Sequence, residues 1–224
     1  MESTNNTIEA TGAKFDLKTY FAARDLCLQV VDEIIARVEP GISEADGQEL
    51  IKTCFARHGI TKFWHPSKFR IGADTTKTFR APPDATLLTE AGEMCFVDVG
   101  PIIDEHEADF GRTFIVGGGV GAAGYERLIA SCEQVFRDTA AVWKADGLTG
   151  LALFNYAQAR ARELGYELNP LMAGHRLGDF PHHVHSRQGL FEFNQVPSKN
   201  LWVLEIHLRD LGLDRGAFFE DVLF

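Results

Sequence analysis

Two aspartates sit where aspartate is costly. In FVDVGPIIDEHEADFGRTFIV, Asp98 interrupts an apolar segment, and Asp109 opens a second one that runs through Phe110, Phe114, Ile115 and Val116. Aspartate is disfavoured in strands and expensive to bury. A turn centred on Ile103-Asp104 makes the two aspartates direct cross-strand partners, with Cβ atoms roughly 5 Å apart. The oddity recurs downstream, where LWVLEIHL carries Glu205 and GAFFEDVLF carries Glu220. A turn near Gly212 makes these two glutamates cross-strand neighbours as well. Any one such acid could pair with an arginine or face solvent, but two pairs in two hairpins point to cations held between like charges.

Four ionised carboxylates balance two divalent cations. Oxygen-rich ligation with one imidazole suits Mn, Fe, Co or Zn ions, roughly 3.5 to 4 Å apart, in a two-metal hydrolytic site. The nitrogen ligand has an obvious source in GHRLGDFPHHVHS, which holds four of the chain's eight histidines, and His175 beside Gly174 is the candidate.

These residues need a scaffold. Apolar residues recur at three- and four-residue steps from Asp16 to Val38, which predicts an amphipathic helix ended by Pro40-Gly41. Ser43 with Asp46 starts a second helix that Gly59 stops. Short apolar or alternating segments follow at Phe63 to Ile71, Met94 to Pro101 and Ala108 to Val116, and these read as strands. The pattern then repeats, with helices from about Gly124 to Lys144 and Leu151 to Leu164, and strands at Leu201 to Leu208 and Ala217 to Phe224. Helices and strands segregate within each half and the strands pair as hairpins, so the fold class is α+β with two similar halves.

Composition narrows the partners. The 224 residues, 45% of them apolar, can bury a substantial core, and a net charge of −10 argues against nucleic-acid and anionic-membrane surfaces. No G-x-G-x-x-G or P-loop lysine supports nucleotide binding. Cys27, Cys54, Cys95 and Cys132 show no C-x-x-C spacing and read as reduced core residues. Residues 1–14 form a polar tail without an apolar signal region, and no run approaches the length of a membrane span. A cytoplasmic protein acting on a small or peptidic ligand is expected.

The ordered set Asp98, Asp109, His175, Glu205 and Glu220, with eleven residues between the aspartates, resembles the metal ligands of the pita-bread metallopeptidases. That family includes methionine aminopeptidase, aminopeptidase P, prolidase and creatinase. The resemblance covers about residues 15–224, read as a single pita-bread catalytic domain without the separate N-terminal domain of several members. It implies two pseudo-symmetric helix-plus-antiparallel-strand halves around a dinuclear site. Asp98 would chelate one ion, Asp109 and Glu220 would bridge both, and His175 with Glu205 would complete the second. A metal-bridging water would be the nucleophile, Glu205 the proton shuttle, and His182 the donor that stabilises the tetrahedral intermediate.

Departures from the family bear on substrate. Arg80 stands where methionine aminopeptidases carry a substrate-contacting histidine; it could clamp a carboxylate or phosphate, or face solvent. Leu171 and Phe218 replace a histidine and an arginine of the proline-specific members. The segment FWHPSKFRIGADT and the GRTF after Asp109 nonetheless look more like aminopeptidase P, and His65 either stands in part for the missing substrate histidine or is a structural histidine beside Pro66. Arg176 replaces the glycine beside the metal histidine and is a further substrate-binding candidate, while His183 and His185 have no assigned role. The leading expectation is aminopeptidase-like hydrolysis of small peptides with two Mn, Co, Fe or Zn ions, in a possible homodimer. The alternatives are a creatinase-like enzyme acting on a non-peptide metabolite and a catalytically silent binding protein.

Overall fold

A computed structural model describes residues 7–119 and 121–224; the first six residues of the polar N-terminal stretch lie outside them. Helix α1 (Leu17–Ala36) starts at Asp16, whose Oδ1 accepts the Thr19 N–H at 2.8 Å. Helix α2 (Glu44–Arg57) opens with the expected reciprocal capping of Ser43 and Asp46. Strands β1 (Lys68–Ile71), β2 (Met94–Val99), β3 (Ile102–Ile103), β4 (His106–Glu107) and β5 (Phe110–Ile115) follow. The second half contributes α3 (Tyr125–Asp146), α4 (Gly150–Glu163), β6 (Glu167–Leu168), β7 (His175–Arg176), β8 (Trp202–Asp210) and β9 (Arg215–Val222). Each half therefore has two helices followed by antiparallel strands.

One of the expected strands is shorter than its apolar pattern suggests. Only Lys68–Ile71 of the segment from Phe63 pairs as a strand, while Phe63 makes an isolated bridge to Pro101. Pro66 has no N–H to donate to a ladder, and the chain around it turns Trp64 and His65 into a cleft.

Seven of these strands join in one antiparallel sheet, ordered β1-β2-β5-β9-β8-β6, with β7 also pairing β8, while β3 and β4 form a separate two-stranded sheet. The β5–β9 ladder is where the two halves meet. Strand alternation divides the residues between two faces. Cys95, Val97 and Val99 pack in a core with α1 and α2, and Trp202, Leu204, Ile206 and Leu208 pack in a second core with α3 and α4. All four cysteines are buried and free, as expected. Among the described residues no helix is long and apolar enough to cross a membrane.

The N-terminal polar stretch docks onto the domain from residue 7 onward. Thr7–Glu9 form a short 3-10 turn, and Glu9 accepts hydrogen bonds from Ser198 and from Trp202 Nε1. Gly12 N–H donates to Asp179 Oδ1 at 2.7 Å.

Candidate active site

The sheet face turned away from the helices carries the acids in register. Asp98 pairs with Gly111, Gly111 with Glu220, and Glu220 with Glu205. One transverse row across β2, β5, β9 and β8 thus presents three carboxylates, with a glycine in the gap. A Cβ on Gly111 would lie 2.4 Å from Phe218 Cε1 and 2.8 Å from Glu220 Oε1, so a hydrogen is all that this position admits. Gly111→Ala is expected to cost about 1–3 kcal/mol of stability through overpacking and to weaken ion binding by displacing Glu220. Thermal unfolding with and without Mn measures both effects.

The direct pairing expected of Asp98 with Asp109 is not what the structure shows. The turn falls at Asp104-Glu105, both with positive φ (46° and 63°), one residue beyond the expected centre. Positive φ at both central residues suits the tight turn whose twist matches a hairpin. Moving the centre by one residue moves the register by two, which preserves the face. Asp109 therefore stays beside Asp98 as a diagonal neighbour, two residues before Gly111. The expected Glu205–Glu220 pairing is observed directly.

His175 enters from β7, opposite Val203, two residues along β8 from Glu205. Gly174 makes this approach possible: its φ is 104°, and a Cβ there would meet Val203 O at 2.2 Å. His175 Nε2 lies 2.9 Å from Asp109 Oδ2 and 3.4 Å from Glu205 Oε1. His65 Nε2 is 3.3 Å from Asp109 Oδ1 and 3.5 Å from Asp98 Oδ1.

Two groups of ligand atoms result, His65–Asp98–Asp109 and Asp109–His175–Glu220, each within 4.8 Å of one another and sharing Asp109. Asp109 Oδ2 and Glu220 Oε1 are buried and make no aligned hydrogen bond. Buried carboxylate oxygens are normally satisfied. Carboxylate oxygens without an aligned donor, facing imidazole nitrogens, form a donor set that fits divalent transition ions.

The electrostatics of the ion-free chain lead to the same place. Burial raises Asp98 to about 6 and Glu205 to about 7. Burial, reinforced by the charges of Asp109 and Asp98, drives Glu220 well above the usual carboxyl range. Burial opposes ionisation of Asp109 too, but the His175 and His65 rings hold it at about 2. Burial likewise disfavours the charged rings, yet Asp98 and Asp109 beside His65, and Asp109 and Glu205 beside His175, raise both to about 9. Protons thus supply the compensation that cations would give.

A cleft of about 550 Å³ opens over this floor. Its walls include Trp64, Phe79, Leu171 and Met172, together with His65 and Arg80. Arg80 is exposed and lines the cleft. Leu171 is largely exposed, whereas Phe218 packs beneath with Phe96 and Met172.

Arg176 corrects an expectation. It is 1% exposed, its Nη2 donates to Ala10 O at 2.9 Å, and its guanidinium lies 6.0 Å from the Trp202 ring centroid. Adjacent residues on a strand point to opposite faces, so with His175 in the site Arg176 is turned away from it. It is not among the residues a ligand in the cleft would meet.

His182 is buried beside His175 and Trp64, with its ring nearly parallel to that of His175 at 6.3 Å. His183 is exposed and His185 half-buried. Sequence reasoning missed Glu107, which is fully buried and takes both the main-chain N–H of His182, at 3.0 Å, and its Nδ1, at 2.5 Å. The available signal was a further acid two residues before Asp109.

Comparison with known proteins agrees with this architecture. The model of metallopeptidase family M24 matches residues 19–223. Among solved structures, an X-Pro aminopeptidase from Thermotoga maritima MSB8 superposes with a TM-score of 0.81 at 16% identity, over 100% of this chain and 62% of its own. A prolidase from Pyrococcus horikoshii OT3 gives 0.77 at 16% identity, covering 97% and 61%, and a Xaa-Pro dipeptidase from Bacillus anthracis gives 0.72 at 17%, covering 97% and 59%. The chain thus spans about three fifths of the length of these structures, and at such identities the likeness concerns the fold. No curated protein sequence matches significantly. With a pita-bread α+β fold, a carboxylate-histidine centre on its open sheet face and a family match over nearly its full length, the chain belongs to metallopeptidase family M24.

Proposed function

We propose that the chain is a dinuclear metal-dependent hydrolase of C–N bonds, aminopeptidase-like and directed at small peptides. The observation that supports this reading is the convergence of Asp98, Asp109, His175, Glu205 and Glu220 around orphaned carboxylate oxygens at the floor of the cleft. These five residues would hold two ions of the Mn, Co, Fe or Zn class, with Asp109 and Glu220 serving both. When bound, the ions would lower the pKa of a water nucleophile towards neutrality and polarise the scissile carbonyl.

The chain's own residues do the rest. Glu205, at the floor of the cleft, is the carboxylate placed to take up a proton from the water nucleophile and return it to a leaving amine. His182 beside His175 is the donor to developing oxyanion charge, in the form that carries protons on both ring nitrogens, a contribution worth roughly 3 kcal/mol in such sites. Trp64, Phe79 and Met172 give the substrate an apolar wall, and His65 meets it next to the metal floor.

A second reading, hydrolysis of a small anionic metabolite, draws on Arg80. This guanidinium lines a cleft whose floor is acidic and whose walls are largely apolar, so it is suited to a substrate carboxylate.

Dipeptides, proline peptides, and small amides and amidines offered to Mn-loaded and Co-loaded protein separate the readings. Turnover of peptides supports the first, turnover restricted to non-peptides the second, and no turnover with full metal occupancy sinks both. Arg80→Ala should raise KM about tenfold for substrates with a free carboxylate, the scale of one charge-assisted hydrogen bond. It should leave amide-capped substrates unchanged. Equal KM values for the two classes would assign Arg80 to solvent.

A further inference from the structure

Glu107 is 0% exposed, and both of its carboxylate oxygens are engaged by one residue, His182. The strand that carries it is laced to the same loop: Glu107 N–H donates to Gly178 O at 3.0 Å, and Phe180 N–H donates to Glu105 O at 2.8 Å. A carboxylate is costly to bury, and anchoring a loop needs only the main-chain bonds already present. The second oxygen, on the imidazole, calls for another explanation.

We propose that Glu107 is the positioning residue for His182, gripping its main-chain N–H and ring Nδ1 together so that Nε2 is the nitrogen left for a ligand. The two contacts fix different things. The main-chain bond sets where the loop passes, and the Nδ1 bond sets the rotation of the ring and which nitrogen is occupied. The ring is thereby held nearly parallel to His175 and edge-on to Trp64, both of which line the cleft. This inference rests on the reading of His182 as a participant in turnover.

Glutamine gives a sharp test because it matches glutamate in shape. The main-chain N–H of His182 can only donate, so it must take the amide oxygen of Glu107→Gln, and the amide NH₂ must face Nδ1. Nδ1 then becomes an acceptor and the ring proton moves to Nε2, with the grip retained. Glu107→Ala loses both contacts.

The experiment compares wild type, Glu107→Gln, Glu107→Ala and His182→Ala as Mn-loaded proteins on one dipeptide, with ¹⁵N-imidazole NMR of His182 on the diamagnetic Zn-loaded forms. Glu107→Ala should lose kcat by about 10- to 100-fold, the usual scale for a partner that orients a functional histidine, with KM and metal content unchanged. Glu107→Gln should lose less and should show the Nε2–H form. The wild type should show a proton in the Nδ1–Glu107 bond.

An unchanged kcat in Glu107→Ala, or a Glu107→Gln no better than Glu107→Ala, overturns the proposal. So does a wild-type ring without a proton at Nδ1, a measurement that needs no variant to fold. Normal turnover by His182→Ala would remove the underlying role of His182 itself. An impaired His182→Ala with an unimpaired Glu107→Ala would remove this inference alone.

Discussion

Asp109→Asn is expected to reduce turnover by at least ~10³-fold, equivalent to about 4 kcal/mol of transition-state stabilisation, while changing the stability of the ion-free protein by only about 1 kcal/mol. Asp109 is the member shared by both groups of ligand atoms, and its Oδ2 is one of the two orphaned oxygens. Asparagine offers one neutral oxygen and an NH₂ group that repels a cation, so it cannot serve two ions. The ion-free fold is less sensitive because His65 and His175 are raised to about 9 by the same carboxylates. With Asp109 neutralised they can release their protons at neutral pH, and neither is left as an unpaired buried charge. Removal of the Asp109 charge also relieves repulsion on Glu220. Metal analysis, steady-state kinetics and thermal unfolding measure the three quantities. Unchanged turnover in Asp109→Asn would sink the two-metal reading.

The second large effect is the pH dependence of metal stabilisation. Asp98 at about 6, Glu205 at about 7 and the raised Glu220 hold protons more tightly folded than unfolded. The contribution of Asp98 and Glu205 is full below the unfolded carboxyl range near pH ~4 and is lost as pH rises through about 6 to 7; Glu220, held well above the usual carboxyl range, acts in the same direction. His65 and His175 contribute fully below about pH 6.5 and lose that contribution as pH climbs through about 9. Asp109, held at about 2, runs the other way: its contribution is present above about pH 4 and is lost only as pH falls towards 2. From pH ~5 to ~9 these groups therefore make the ion-free protein steadily less stable.

Divalent ions bind the deprotonated ligands, so their stabilisation grows over the same range. At ions about 100-fold above Kd the gain is about 2.7 kcal/mol. With ~2–4 °C per kcal/mol for a chain of this size, the gap in Tm should open by about 5–10 °C between acid and neutral pH. Differential scanning calorimetry with Mn and with a chelator measures it. A gap that does not change with pH would show that the ions bind elsewhere.

Much of this protein could be read from its residues. The period of the apolar positions identified α1 to α4, the Ser43–Asp46 pair marked a helix start, and acids inside apolar strands marked Asp98, Asp109, Glu205 and Glu220. Those signals are local, because propensity, capping and alternation act over a few residues. The Glu205–Glu220 pairing was legible for the same reason, its turn lying between adjacent strands. The Asp98–Asp109 register was not, since two consecutive left-handed residues at Asp104 and Glu105 moved the turn by one. Neither is a glycine that would have announced the turn.

What tertiary structure alone decided is non-local. Nothing in either hairpin specifies that β5 pairs β9, yet that ladder aligns Asp98, Gly111, Glu220 and Glu205 in one row and joins the halves. The orientation of His175 and Arg176 to opposite faces depends on β7 docking against β8, and Arg176 is buried through contact with Ala10, more than a hundred residues away in the chain. Glu107 acquired its partner in the same way, from a loop brought over the hairpin. Local sequence determines which side chains carry charge and which segments become helix or strand; which charges face one another is set by the burial of two hydrophobic cores on the opposite face of the sheet.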